Sequence, residues 1–382
     1  MAAFKALFIV SVLAAVGSAF PGWSGESRTL NQPPITAAAI FALSGNAAKD
    51  NASDLAGVRL AVKEINSGGG ILGREFTVME LDNRSMPLGS KSAVEKADLL
   101  GVAAILGPSW SSHALAAARA AQQKKIPMLA CMATHPDVTR TGDYIFRAGY
   151  TDDFQGRVMA VLARTYLGAT TASLLVNSTS DFSISMAGYF KEHFEKIGGR
   201  VLTEVYYKPN HLKAAPYVAA VKKDSPGVIF IPGHGESGFL ARACQEQPPL
   251  VPVLGGDGWG LGTFYRVGGK GIKLGYYCTH WAPEVDFPAS RNFVLKYGGE
   301  AEINEALAMG YETTMILADA IRRAGSDDRA AIRRALAETR DFPGVTGPIS
   351  FDHHGDPTKN AVIIEIRDGA PVFLNTVSPR ED

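Results

Sequence analysis

The chain has 382 residues, 46% hydrophobic and 20% charged, a length that calls for about two domains and a composition that supports sizeable cores. Its 38 basic residues balance 38 acidic ones, so it lacks the positive field of a nucleic-acid binder and its partner is not expected to be a polyanion. Cys131, Cys244 and Cys278 lie far apart, which argues against a zinc site and reads first as three free, partly buried thiols, with at most one disulfide, Cys244 with Cys278 for instance, as the alternative.

Residues 1–19, "MAAFKALFIVSVLAAVGSA", join one Lys to an apolar run from Ala6 to Val16 and then to Gly17-Ser18-Ala19. The run is shorter than the roughly 20 residues of a membrane-spanning helix, so the segment reads as a signal peptide cleaved after Ala19. No Cys follows it, which disfavours a lipid anchor.

Beyond Pro34, short apolar stretches alternate with segments of helical period. Strands are expected at 35–43, 76–81, 102–106, 127–130, 173–176, 201–206, 228–231, 251–254 and 273–278. Helices are expected between them, the first with Ser53 or Asp54 as N-cap and Leu55, Val58, Val62 and Ile65 on one face. This β-α-β-α order predicts parallel sheets covered by helices on both faces. About nine units exceed one doubly wound sheet, so two lobes are expected, dividing near 147–150. The region 301–339 reads as helix, and "GPISFDHHGDPTKNAVIIEIRDGAPVF" returns to hairpin-like strands with Gly-Asp and Asp-Gly turns.

Gly68 to Gly73 spells G-x-G-x-x-G, but a dinucleotide fingerprint leaves a strand and opens a helix, whereas here a helix ends and a strand follows. The glycines are therefore expected to cap a helix and turn the chain, and no cofactor is predicted. "GESGF" and "GPSWS" lack the last glycine of a nucleophile elbow, and "DHHGD" reads as a solvated turn because adjacent strand residues face opposite ways. No nucleophile, base and orienting set is visible, so neither an enzyme nor a metal site is expected.

Several stretches, in order, carry a resemblance: "AGVRLAVKEINSGGGILGREFTVMELDN", "AAILGPSWSSHALAAARAAQQKKIPMLACMATHPDV", "YIFRAGYTDDFQG", "VLGGDGWG", "ALAMGYETTMILADAIRRAG" and "FPGVTGPISFDHHGD". Together, over about residues 35–373, they resemble the type I periplasmic solute-binding proteins of ABC transporters, in the branched-chain amino acid-binding subfamily. The resemblance implies two α/β lobes, 33–147 plus 282–346 and 148–281 plus 347–376, joined by three crossing strands and closing on a ligand. It also implies a monomer of the periplasm that delivers an amino acid, branched-chain, aromatic or similar, to a membrane permease. A receptor of the same fold that senses an amide or an aromatic or aliphatic carboxylate is the alternative.

Ligands of such sheets sit beyond the carboxyl ends of parallel strands. Ser111 follows one strand at a helix N-terminus, where an anion is favoured, and the Met132 backbone and Thr134 hydroxyl follow the next. These places match those where the family holds a ligand carboxylate; Ser and Thr also serve there as plain caps. Asp257 falls where the family carries an acid for the ligand ammonium. Phe182 and His234 fall where it has aromatic cleft residues, and Trp110 and Trp259 are candidates for an apolar wall. The chain departs from the family pattern where Ser85 and Trp110 occupy the places of a frequent disulfide, and where Phe and His replace the usual tyrosines.

Overall fold

The computed structural model describes residues 32–210, 212–268, 271–299 and 303–379; the expected signal peptide at 1–19 lies outside them. The first sheet is built from β1 (Ile35–Phe41), β2 (Phe76–Asp82), β3 (Ala104–Leu106), β4 (Met128–Ala130) and β5 (Ile145–Arg147). Its order is β2-β1-β3-β4-β5, every pair parallel. The crossovers are α1 (Ala48–Ser67), α2 (Pro87–Leu99) and α3 (Ser111–Lys124). Along β1 the side chains alternate: Ala38 and Ile40 enter the core under α2 and α3, while Ala37, Ala39 and Phe41 enter the core under α1. That period of two, buried on both sides, is why the strand reads as a continuous apolar run.

The second lobe begins with α4 (Asp152–Val161), continues through β6 (Thr171–Asn177), α5 (Asp181–Lys196), β7 (Arg200–Tyr207), α6 (Ala214–Lys222), β8 (Val228–Phe230), α7 (Gly235–Gln245), β9 (Val253–Gly255) and α8 (Gly262–Gly268), and reaches β10 (Leu274–Thr279). There follow α9 (Pro288–Tyr297), α10 (Glu305–Ala324) and α11 (Arg329–Ala337), then β11 (Phe342–Gly344), β12 (Gly347–Phe351), β13 (Pro357–Thr358), β14 (Ala361–Arg367) and β15 (Ala370–Val377). The second sheet has the order β15-β14-β10-β9-β8-β6-β7, parallel from β7 to β10 and antiparallel beyond. The fold class is thus the expected one: two doubly wound α/β lobes. Each expected strand of both sheets is present within a few residues of its expected bounds.

Two details differ. The first helix begins at Ala48, so Ser53 and Asp54 lie inside it rather than capping it. Residues 347–358, expected in the second lobe, belong to the first: β12 pairs with β11 and β13, and Ile349 and Phe351 share a core with Ile35 and Phe41. Arg147, wholly buried at the end of β5, fastens this segment by donating from Nε to Asp356 Oδ1 at 2.5 Å. The chain crosses back only after Thr358. The Gly355-Asp356 and Asp368-Gly369 turns are where expected, the second with positive φ at both residues. Cys244 and Cys278 are free and sit in different core clusters.

Gly68–Gly73 closes α1 and turns into β2, with positive φ at Gly69, Gly70 and Gly73. A side chain at Gly70 would lie 1.9 Å from the Arg74 carbonyl. Helices α1 and α10 pack backbone against backbone: a Cβ on Gly57 would lie 2.1 Å from Leu307 O, and one on Gly310 would lie 2.0 Å from Asp54 O. This contact fixes α1, and with it Asp50, Asn51 and Asp54, against α10. We expect Gly310→Ala to force the helices apart at a loss of about 1–3 kcal/mol, while Gly188→Ala on α5, where a Cβ meets open space, is neutral or stabilising. Urea midpoints of the two variants check this.

Candidate functional site

In open α/β sheets the crevice lies where strand order reverses. Here those points are between β1 and β3 in one sheet and between β6 and β8 in the other. The loops that leave β3, β4, β8 and β9 meet there, and between them is a gap with about 20 Å³ of water-accessible space. That is room for one or two waters, so the lobes stand closed on each other.

Seven of the eight expected site residues line this gap. From the first lobe come Trp110, Ser111, Met132 and Thr134; from the second come Phe182, His234 and Asp257. Trp110 precedes α3 in extended conformation, and Ser111 opens the helix as expected. Ser111 Oγ accepts from the His135 backbone N–H at 3.3 Å, which ties the β3 loop to the β4 loop. Thr134 is buried beside it, and its carbonyl accepts from Asp152 N at 2.9 Å.

The eighth residue, Trp259, is not at the gap. Its ring is fully buried, stacks on Phe264 at 4.3 Å, and donates from Nε1 to Ile231 O at 3.1 Å. Two residues apart on the tight 3-10 turn Asp257–Trp259, the acid and the indole point to different faces. One meets the cleft and the other fills the core under it.

Rings close the gap from the solvent side. His113 and Trp110 of the first lobe stack at 5.5 Å, Trp110 stacks on His234 of the second lobe at 4.2 Å, and Phe182 tilts against His234 at 5.0 Å. Beyond this ladder lies an outer cleft of about 560 Å³. Elsewhere on the rim, Thr263 of α8 donates to the carboxylate of Asp50 on α1, so a second polar contact also bridges the lobes.

Asp54 and Asp257 line the gap, and two further buried acids lie within the reach of the Asp257 charge. Burial pushes the Asp257 carboxyl up to about 6, against the opposing charge of His234. Asp152, at the start of α4, is likewise pushed to about 6 by burial, and Glu305, opening α10, to about 8 by burial and by the charge of Asp257. His280 Nε2 approaches Asp257 Oδ2 at 3.3 Å without hydrogen-bond geometry. Burial, then the charge of Lys359, holds that imidazole well below its ordinary value, so it is neutral and no ion pair forms. Asp257 Oδ1, Asp152 Oδ2 and the Tyr150 hydroxyl have no hydrogen-bond partner. Buried polar atoms normally have partners, so several orphans around one gap mark a place where a ligand completes the set.

Beside the gap is the hinge. Lys359 Nζ, fully buried, donates to Ala148 O at 3.1 Å and to Glu312 Oε1 at 3.5 Å, joining two of the crossing segments. Tyr150 packs on His280 at 3.9 Å, joining the third. Sequence reasoning missed these residues, as it missed Asn51, Asp54, Ser109, Gly258 and Leu261 of the gap. Asn51 and Asp54 carried a signal in hindsight, since their spacing of three puts two polar residues on one helix face. "DHHGD" is structural: Asp352 Oδ1 accepts from the backbone of His354 and Asp356, and among the described residues no group of His, Cys, Asp and Glu is arranged to hold a metal ion.

The sheet orders, the three crossings and the gap between strand ends define a two-lobed binding protein. The chain belongs to the periplasmic binding protein family, whose model matches residues 34–370. Among curated relatives, it is 25% identical over 332 residues to the Leu/Ile/Val-binding protein BraC3 of Rhizobium johnstonii, covering 86% of this chain and 90% of that one. Among solved structures, it resembles a leucine-binding protein LivK of Thermotoga maritima with TM-score 0.85 and 29% identity, covering 91% of this chain and all of that one. It also resembles LivJ of Streptococcus pneumoniae in complex with isoleucine, with TM-score 0.84 and 25% identity over 91% of this chain and all of that one.

Two predictions follow from the electrostatics and the rings. Asp54, whose carboxyl burial pushes to about 7, and Glu305 bind protons more tightly when folded than when unfolded. Their contribution is therefore fully present at low pH and is lost as pH rises through about 7 and about 8. The buried His113 and His280 act oppositely, but only below about pH 6.5, their unfolded value. The ligand-free protein should thus lose stability between about pH 6.5 and 8, and the loss should be smaller in Glu305→Gln; urea titrations at each pH measure both. Trp110→Ala removes a stack across the cleft worth about 0.5–1.5 kcal/mol, so the closed-to-open ratio should fall roughly 2- to 13-fold, read as a larger radius of gyration by small-angle scattering.

Proposed function

We propose that the protein is an exported receptor that closes on an amino acid and presents it to an ABC transporter permease. Residues 1–19 serve as its signal peptide and the mature chain works as a periplasmic monomer. The observation that carries the reading is opposed polarity across one gap. Ser111, Thr134 and the free N–H groups at the start of α3 face a carboxylate from one lobe, and Asp257 faces an ammonium from the other. The likeness to proteins named for binding leucine, isoleucine and valine supports it.

Closure on the ligand is a hinge motion about the three crossings. A ligand that touches both lobes binds the closed form better than the open one, and that difference drives the population shift. Turning 1:99 into 99:1 takes about 5.5 kcal/mol, which charge-assisted bonds to Asp257 and to the α3 N-terminus, with the burial of a side chain, can supply. His280, neutral beside Asp257, leaves that carboxylate for the ligand.

A thermal-shift screen over the amino acids tests the reading, because a ligand bound only by the native state raises its melting temperature. We expect one or a few amino acids to raise Tm by several degrees. Asp257→Ala should abolish the rise while the unliganded protein still melts cooperatively. An undiminished shift in that variant would refute the role of Asp257.

A further inference from the structure

Pairing one carboxylate and one ammonium leaves a second acid at the gap unused. Asp54, on the inward face of α1, is 1% exposed. Its Oδ1 accepts from Ser109 Oγ at 2.8 Å and from Cys131 Sγ at 3.3 Å. Its Oδ2 is buried without a hydrogen-bond partner, and the residue lines the gap from the lobe opposite Asp257. Burial raises this carboxyl to about 7 even against those two donors, so near neutrality the orphan oxygen is met by a proton or by a donor brought from outside.

Asp54 and Asp257 belong to different electrostatic neighbourhoods. The charge of Asp50, one turn back on its own helix, raises the Asp54 carboxyl, whereas the charge of His234 lowers that of Asp257. The two acids therefore offer separate acceptor positions, one on each lobe. Other candidates on the first-lobe side are already engaged: Asn51 Oδ1 accepts from Ala42 N at 3.0 Å, and Ser109 gives its proton to Asp54. Trp110 Nε1, also buried and unpartnered, adds a donor for the ligand's acceptor end. A purely aliphatic side chain would leave Asp54 Oδ2 unmet, and a site built to hydrogen-bond its ligand rejects the analogue that lacks the group.

We propose that Asp54 is a second ligand-binding carboxyl, which receives a hydrogen-bond donor on the ligand's side chain and so selects amino acids ending in a hydroxyl, amide or amine over their aliphatic isosteres. This rests on the amino-acid reading above. Met132 and Leu261, which line the same gap, give the intervening carbons their apolar contact.

Calorimetric titration with isosteric pairs tests it: threonine against valine, asparagine against leucine, and 2,4-diaminobutyrate against norvaline. In the wild type the donor-bearing member of at least one pair should bind tenfold or more tightly. In Asp54→Ala that preference should vanish or reverse, with affinity for the aliphatic member changed by less than about threefold, within the ordinary effect of a lost contact. Asp54→Asn retains the volume and an acceptor for Ser109, and carries the test if the alanine variant does not fold; it should lose the preference for the amine. The proposal is overturned if the aliphatic members bind as well or better in every wild-type pair. It is equally overturned if the Asp54 variants weaken both members by the same factor, which would make Asp54 a partner of the ammonium or a structural support. Tight aliphatic binding sinks this inference alone, whereas absence of binding by any amino acid sinks it together with the amino-acid reading.

Discussion

A buried carboxyl group with an unmet oxygen must find a proton, a cation or a donor, and the closed cleft of this protein gathers several such groups in one place. Asp54, Asp152, Asp257 and Glu305 all lie out of solvent around the gap, each with one oxygen lacking a hydrogen-bond partner. The buried cations nearby make their hydrogen bonds to other groups. Arg147 is committed to Asp356 and Lys359 to Glu312, while His280 is neutral. In the ligand-free protein the acids' raised affinity for protons offsets this, and in a complex a donor or a positive charge on the ligand can take the proton's place.

The rest of the architecture serves to bring those groups together and to let them part. Each sheet presents the carboxyl ends of its strands to the cleft, so loops that hold polar groups converge without a single continuous element crossing the gap. The glycine contact between α1 and α10 sets the height of Asp54, and α10 itself begins with Glu305, so two of the acids are placed by one helix pair. The chain passes between the lobes in the crossing segments, two of which the buried Lys359 ties together at the hinge. Rings from both sides then close over the gap and shield its charges from bulk water. Excluding water strengthens each pairing that the ligand can make.

The sheet strands were legible because each is a short apolar run bounded by polar turns, and β1 shows why: both of its faces are covered. Ser111, Thr134 and Asp257 were legible as strand-end residues, a rule of topology that needs no knowledge of packing. Three things were hidden for physical reasons. The start of α1 was misplaced because Ser53 and Asp54 have cap chemistry, yet packing against α10 overrides it and keeps both inside the helix. The lobe of residues 347–358 depends on the buried pair of Arg147 and Asp356, a contact more than 200 positions apart in the sequence. Trp259 and Asp257 are two residues apart in one loop, and only the tightness of the turn decides which of them meets the cleft.

The central claim is that the gap grips a molecule bearing both a carboxylate and an ammonium. It is tested most directly by calorimetry of the best amino acid beside its deaminated acid and its decarboxylated amine at the same pH. The account predicts that loss of either group weakens binding at least a hundredfold, as expected when a buried charge is left unpaired. Binding of either analogue as tightly as the parent would contradict it.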